Sequence, residues 1–291
     1  MSDVFRIGLI GCGTVGQGVV RIIQAEAAEI ERKTGVRLEL ARVVDKDPAQ
    51  AAKVNVPVGL VSTSASDVFN DKTINVVVEL VGGTTVAKDF VLAALNAGKS
   101  VVTANKALLA KHGREIYATA RRNNCCVAFE ASVGGGIPLI LPLRTGLIAN
   151  RINAIYGILN GTCNYILSEM SRNGKPYAMA LAEAQAAGYA ELDPTLDVNG
   201  TDTAHKLAVL ASLAFCCDVD FGALHIEGID QLDAIDLAAG RELGYVCKLL
   251  GIAQRTDDGI SLRVHPSFVS KKHPLASTSG SFNAVSVYGN W

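Results

Sequence analysis

Short apolar runs alternate with helical patterns over the first 150 residues of the chain. The runs are rich in β-branched residues and predict buried strands, while the longer stretches between them have the apolar spacing of helices. Strands that alternate with helices are typical of a doubly wound parallel sheet. The predicted strands are Phe5–Ile10, Leu38–Val44, Val76–Leu80, Ser100–Thr103 and Cys126–Phe129, and the predicted helices are Val15–Arg32, Val86–Ala97 and Gly113–Asn123.

This alternation ends at the Gly-rich stretch Ala131–Pro138, which we interpret as a domain border. The expected domains are residues 1–136 and 137–291. Beyond the border, helical and extended patterns mix without regular alternation, which predicts an α+β domain. Its predicted helices are Asn164–Arg172, Tyr177–Ala187 and Asp202–Cys216, and its predicted strands are Ile152–Gly157, Ile260–His265 and Phe282–Tyr288.

Composition narrows the function classes. The 27 basic residues balance the 28 acidic ones, so nothing predicts binding to nucleic acid or to an anionic membrane. No apolar run is long enough to span a bilayer. The seven cysteines include no C-x-x-C pair, which favours a reducing compartment, the cytoplasm. A nucleophilic cysteine is the alternative, but no histidine stands at a telling position beside any of them.

The most informative local motif follows the first predicted strand. It reads Gly11-Cys12-Gly13-Thr14-Val15-Gly16, a G-x-G-x-x-G between an apolar run and a long helical pattern. In this context Gly11 permits a tight turn, Gly13 lets the backbone approach a pyrophosphate, and Gly16 lets helix and strand pack closely. The helix N-terminus adds free N–H groups. We therefore predict a Rossmann-type domain that binds NAD or NADP; a Gly-rich turn without a ligand is the alternative.

Asp45 at the end of the second predicted strand bears on the choice of cofactor. An acidic residue there accepts hydrogen bonds from the adenosine ribose and repels a 2′-phosphate, which favours NAD. Arg42 and Lys46 offset that repulsion. The preference between NAD and NADP therefore stays open, and a simple turn role for Asp45 before Pro48 is the alternative.

Three further stretches are more specific than the glycine motif. They are Val102–Lys106 (VTANK), Gly157–Thr162 (GILNGT) and Gly188–Pro194 (GYAELDP), the last followed by Asp197, Asn199-Gly200, Asp202 and Lys206. In this order they resemble the homoserine dehydrogenases, and the resemblance covers essentially the whole chain. It implies a homodimeric enzyme that interconverts L-homoserine and L-aspartate 4-semialdehyde with NAD(P), on the route to threonine and methionine, with the second domain binding substrate and forming the dimer.

The resemblance also assigns roles by position. Lys206 matches the catalytic lysine, and Lys106 a lysine near cofactor and substrate. The acidic residues that match substrate ligands are Glu191, Asp202 and Asp197. The resemblance implies cofactor contacts at Thr14, Val15, Gly188 and Lys106, which add to Gly11, Gly13, Gly16 and Asp45 predicted from the motif above. The carbonyl oxygens of Glu130, Val133, Gly135 and Ile137 match ligands of a monovalent cation, usually sodium.

The residue types agree with these roles, although each has a simpler explanation. Hydride delivery to an aldehyde builds negative charge on oxygen, which a lysine can stabilise and protonate. Asp202 and Lys206 are four residues apart and so share a helix face, but an exposed ion pair has the same spacing. Lys106 could be a solvated lysine at a helix start. Glu191, Asp193 and Asp197 could be a solvated acidic loop or a divalent-cation site, and Ala131–Pro138 a hinge.

The far end of the sequence departs from the family pattern. Members continue with another Gly-rich stretch and a helix that returns to the nucleotide domain, and many carry a regulatory ACT domain; we expect neither within residues 1–291. Two other functions stay open on these grounds: a dehydrogenase of another small hydroxy acid or amino acid, and a silent NAD(P)H-binding protein. The presence of Lys106, Glu191, Asp202 and Lys206 argues against the silent protein.

Overall fold

The chain forms two compact units that divide between Ser132 and Val133, shortly before the border predicted after residue 136. The structure, a computed structural model, describes residues 3–291. Within that range no helix has both the length and the hydropathy needed to cross a membrane.

The first unit contains a six-stranded parallel sheet with the strand order β3-β2-β1-β4-β5-β6. This confirms the predicted doubly wound fold. Its strands are β1 Asp3–Ile10, β2 Val36–Val44, β3 Val61–Ser62, β4 Val76–Glu79, β5 Ser100–Thr103 and β6 Val127–Ala128, and its helices are α1 Thr14–Thr34, α2 Ala49–Ala52, α3 Ser66–Phe69, α4 Val86–Asn96 and α5 Lys106–Arg122.

The central strands are buried because helices cover both faces of a parallel sheet. Leu9, Val43 and Val78 are at most 6% exposed, and they pack in one core with residues of α1. The strand order reverses between β1 and β4, and ligands of such sheets bind at the carboxyl ends of strands beside this point. The glycine turn, where the sequence predicts the nucleotide, directly follows β1 and so lies at this point.

The second unit contains a mixed five-stranded sheet, in the order β11-β7-β9-β10-β8, which confirms the α+β expectation. Only the β8–β10 pair is parallel. Its strands are β7 Ala154–Ile158, β8 His225–Ile226, β9 Tyr245–Thr256, β10 Gly259–Ser270 and β11 Ala284–Tyr288, and its helices are α6 Gly161–Asn173, α7 Tyr177–Ala186, α8 Thr195–Val198, α9 Thr201–Phe215, α10 Ala234–Glu242 and α11 Pro274–Ser277.

Strand β9 is the main element that the sequence prediction missed. Seven consecutive residues, Cys247–Ala253, are buried, so the strand shows no alternation of polar and apolar positions that could identify it. Helix α5 was also placed wrongly, since it begins at Lys106 rather than Gly113. Its first turn is fixed by Asn105, whose side chain accepts a hydrogen bond from the Leu108 N–H at 3.0 Å.

Two glycines of α1 offer a matched test of the turn that the helix follows. A Cβ at Gly16 would lie 2.1 Å from the Gly11 carbonyl oxygen, whereas a Cβ at Gly18 would meet nothing within 4 Å. We expect Gly16→Ala to lower the free energy of unfolding by ~1–3 kcal/mol, because backbone must move. Gly18→Ala should raise it by up to ~1 kcal/mol, because alanine favours the helix. Urea denaturation measures both; equal effects would contradict the proposed close approach at Gly16.

Candidate functional site

The glycine turn of the first unit has the geometry of a phosphate-binding loop. Gly11 has φ +97°, and a Cβ there would lie 2.7 Å from Leu80 backbone atoms. Gly13 is exposed, and a Cβ on it would have no neighbour within 4 Å, so its backbone is open to approach. Helix α1 follows with no side-chain cap and no acidic residue in its first turn, where Thr14 and Val15 are exposed. Its N-terminus therefore suits a bound anion.

Asp45 anchors this turn. Its Oδ2 accepts the Cys12 N–H at 2.6 Å, and its Oδ1 accepts the Asp47 N–H at 3.0 Å. The turn role that the sequence left open is therefore present. A carboxylate oxygen has further lone pairs, so these two bonds are compatible with additional acceptance from a ribose hydroxyl.

A buried network supports the start of α5 at the carboxyl ends of β4 and β5. The Thr103 hydroxyl donates to Glu79 Oε2 at 2.8 Å, and each of these two residues is only 1% exposed. The Asn105 N–H donates to Thr103 Oγ1, and the Asn105 amide donates to the Gly83 carbonyl. Lys106 is the next residue, so its backbone position is closely constrained. Its positive charge is unfavourable at a helix N-terminus, which supports a ligand-binding role.

In the second unit, one amide holds two of the predicted acidic residues. Asn160 Nδ2 donates to Asp197 Oδ1 at 2.7 Å and to Asp202 Oδ2 at 2.9 Å. Its Oδ1 meanwhile accepts the Cys163 N–H at 2.8 Å and caps α6. Asn160 is 4% exposed. Asn160 lies in the motif Gly157–Thr162, but its role was not predicted from the sequence: its position before a helix predicts a cap, and nothing local predicts that its Nδ2 meets both carboxylates.

Lys206 completes this cluster. Its Nζ donates to Asp202 Oδ2 and to the Leu159 carbonyl, both at 2.7 Å, and its side chain is 16% exposed. The exposed ion pair considered from the spacing is therefore wrong. An ammonium has three N–H groups, and the described residues provide acceptors for two. The remaining N–H can donate to a ligand oxygen.

The loop 188–194 presents the other predicted residues of this unit. Gly188 lies just after α7 with φ +75°, and Glu191 is exposed. The Glu191 backbone carbonyl accepts from Gln185, but its carboxylate has no hydrogen bond with another described residue and does not join the Asn160 cluster. Asp193 Oδ1 accepts hydrogen bonds from the backbone N–H and the hydroxyl of Thr195 in a local turn. The Thr162 hydroxyl donates to the Tyr189 carbonyl at 2.6 Å and so holds the loop against the start of α6.

The predicted cation ligands fall on both sides of the division between units. Glu130 belongs to the first unit, which ends at Ser132, whereas Val133, Gly135 and Ile137 belong to the second. Gly134 and Gly136 have φ +62° and +86°, so the stretch turns tightly. Within this turn the Ile137 N–H donates to the Gly134 carbonyl at 2.8 Å. Gly134 is not one of the four predicted ligands, so this bond does not engage any of their carbonyl oxygens.

Neither a thiolate nor a side-chain metal centre is indicated. Burial raises the pKa of the Cys163 thiol well above its usual range, and the carboxylates of Asp197 and Asp202 act in the same direction. Burial, with the Asp45 charge, also raises the pKa of Cys12. Over residues 3–291 no group of three or more His, Cys, Asp or Glu side chains is placed to hold a metal ion.

Comparison with known proteins gives a consistent result for both units. A family model described as "Homoserine dehydrogenase" matches residues 138–291, and one described as "Homoserine dehydrogenase, NAD binding domain" matches residues 11–130. The chain is 47% identical to the homoserine dehydrogenase of Pseudomonas aeruginosa, over 98% of this chain and 65% of that protein. It thus spans about two thirds of the length of its curated relatives.

Solved structures agree. The crystal structure of a homoserine dehydrogenase from Thiobacillus denitrificans matches with a TM-score of 0.95 and 44% identity, over 100% of this chain and 68% of that chain. A hyperthermophilic archaeal homoserine dehydrogenase, solved in complex with NADPH, matches with a TM-score of 0.82 and 27% identity, over 99% of this chain and 88% of that chain.

The cluster predicts strong coupling between Asp202 and Lys206. We expect Asp202→Ala to lower the free energy of unfolding by ~2–3 kcal/mol, because it leaves a largely buried ammonium without its counter-charge. In a Lys206→Met background the same substitution should cost clearly less. Urea denaturation of the four proteins measures the coupling. Glu29→Gln, which removes an exposed partner of Arg32, is the control and should change little. Equal costs of Asp202→Ala in both backgrounds would contradict the pairing.

Proposed function

The chain belongs to the homoserine dehydrogenase family, and from that membership we propose that it interconverts L-homoserine and L-aspartate 4-semialdehyde with NAD(P). The observation that carries this proposal is the Asn160 cluster, which places Asp197, Asp202 and Lys206 together. When bound, NAD(P) would supply or accept a hydride at the substrate's terminal carbon. A dehydrogenase of another small hydroxy acid or amino acid is the second candidate. The carboxylates suit a substrate with an α-ammonium group, but they do not determine the length of that substrate's side chain.

We assign proton transfer to Lys206. When the aldehyde is reduced, its carbonyl oxygen gains negative charge, and an N–H of the Lys206 ammonium stabilises the oxygen and gives it a proton. In the oxidation direction the neutral amine removes the hydroxyl proton. Asp202 and the Leu159 carbonyl hold Nζ in place, so the donor is oriented before substrate arrives.

The carboxylates suit the other end of the substrate. Its α-ammonium carries a positive charge that Glu191, Asp197 and Asp202 are proposed to pair with. Glu191 is exposed and unpaired among the described residues, so it is available for a ligand. By the family resemblance, Lys106 acts beside cofactor and substrate, and Gly188 contacts the cofactor.

The cofactor is proposed to lie on the turn Gly11–Gly16, with Thr14 and Val15 offering backbone N–H groups to its phosphates. The open backbone at Gly13 and the uncapped N-terminus of α1 support this placement. NAD and NADP both remain candidates, since the archaeal relative was solved with NADPH whereas Asp45 favours an unphosphorylated ribose.

Further expectations follow from the family. We propose a sodium ion held by the carbonyl oxygens of Glu130, Val133, Gly135 and Ile137; replacing sodium by tetramethylammonium should then lower the melting temperature. We also propose a homodimer through the second unit, which sedimentation equilibrium tests. A reducing compartment, the cytoplasm, is supported by the seven cysteines, which are all unpaired.

The decisive assay follows NADH and NADPH absorbance with L-homoserine or aspartate semialdehyde. We expect Lys206→Ala to lower kcat by ~10²–10⁴-fold, because it removes the proton donor. Cofactor affinity, measured by fluorescence titration, should stay near that of the parent. Lys272→Ala changes an exposed lysine outside the cluster and is the matched control. Near-normal kcat in Lys206→Ala would contradict the proton-transfer role of Lys206. Absence of turnover by the folded parent would contradict the proposed dehydrogenase activity.

Asp45 can be tested with two substitutions that remove its charge but differ in the hydrogen bonds they keep. Asp45→Asn keeps one oxygen that can accept the Cys12 N–H and loses the bond from the Asp47 N–H, so it should raise kcat/KM for NADPH relative to NADH by about tenfold, mainly through loss of charge. Asp45→Ala also releases the turn and should weaken binding of both cofactors. If neither variant changes the ratio, Asp45 does not face the ribose.

A further inference from the structure

A cavity of about 340 Å³ in the second unit is lined by charged side chains of one sign. They are Arg172, Arg241, Lys248 and Lys271, and no carboxylate joins them. Four serine residues complete most of the polar lining: Ser168, Ser171, Ser277 and Ser279. The cavity is formed around α6, the start of β9 and the segment that follows β10, so the proposed catalytic residues do not line it.

Lys248 is the unusual member of this cavity. It lies in the buried stretch of β9 and is 2% exposed. Its Nζ donates to Asn164 Oδ1 at 2.9 Å and to the Thr278 carbonyl, and both acceptors are uncharged. A buried ammonium without an anionic partner is costly. Burial, and secondarily the nearby Arg172, lowers the pKa of Lys248 to about 8.

The other three cations surround Lys248 without neutralising it. Arg172, in the last turn of α6, has no hydrogen bond or ion pair with another described residue. Arg241 donates to the Ser171 carbonyl at 3.2 Å, and Lys271 donates to the Arg241 carbonyl at 2.8 Å. These bonds to neutral carbonyls orient the two side chains and leave their charges uncompensated.

The nearest acid on the same helix is already engaged. Glu169 accepts from Lys175 at 2.7 Å and from Asn173 at 2.8 Å, and these bonds lower its pKa. Lys175 also pairs with Glu183, and the charge of Arg172 contributes to the lowered pKa of Glu169, but the Glu169 carboxylate does not line the cavity. Four cations gathered beside low-dielectric walls repel one another and focus a positive potential into the cavity, which attracts an anion.

We propose that this cavity binds a small anion that carries a phosphoryl group. A phosphoryl dianion supplies two negative charges and at least three acceptor oxygens, which match two lysines, two arginines and the serine hydroxyls better than a single carboxylate does. Lys248 contacts it from within, and Arg172, Arg241 and Lys271 contact it from the solvent side. The site is separate from the nucleotide turn, which lies in the first unit, and the inference does not depend on the proposed reaction.

The test titrates the whole chain with inorganic phosphate and, separately, with glycerol phosphate, at ionic strength held constant with chloride. We expect a saturable rise in melting temperature and a matching calorimetric isotherm. Arg172→Gln and Lys271→Gln should each weaken binding by about tenfold, because each removes a charged hydrogen bond. Lys272→Gln removes the same charge one residue from Lys271, outside the lining, and should bind like the parent. Tighter binding of the ester than of inorganic phosphate would identify a phosphorylated metabolite as the ligand.

Two outcomes would overturn the proposal. The first is the absence of a saturable response to either anion. The second is equal weakening, or no weakening, in Lys271→Gln and Lys272→Gln, which would locate the anion elsewhere, for example at the N-terminus of α1. All three substituted side chains are exposed, so the variants should fold, and their melting temperatures without phosphate provide the check.

Discussion

The side-chain amide of Asn160 joins backbone structure to chemistry in the second unit. Its oxygen caps the N-terminus of α6, and its nitrogen donates to carboxylates from α8 and α9. Two carboxylates this close repel each other, and the amide donor together with the Lys206 ammonium offsets that repulsion. The orientation of Lys206 thus depends on a residue that needs no contact with substrate.

The first unit uses a comparable arrangement with different groups. The side chain of Cys12 anchors the glycine turn in the core, and Asp45 fixes its backbone by accepting the Cys12 N–H. At the neighbouring strand ends, Glu79 and Thr103 fix the start of α5 from within the core. In both units the groups proposed to face the ligand are held by polar partners, which preorganises them.

The sequence predicts the parts of this protein that repeat a local pattern. The parallel sheet follows from alternating strands and helices, and the glycine turn from its spacing. Strand β9 escapes prediction because continuous burial removes the alternation that marks a strand. The partners of Asn160 and the charge cluster around Lys248 also escape, since each joins residues from distant segments. Asp197 and Asp202 were identified by motif resemblance, but the amide that both accept from appears only in three dimensions.

Helix α6 carries Asn160 at its start and Asn164 one turn later, and these two amides serve different neighbours. One holds the carboxylates beside Lys206, and the other accepts from the buried Lys248. A small rotation of this helix would therefore move both contacts together. Mutational effects within α6 cannot be attributed to one site alone, and a scan of this helix needs ligand-binding and turnover readouts measured in parallel.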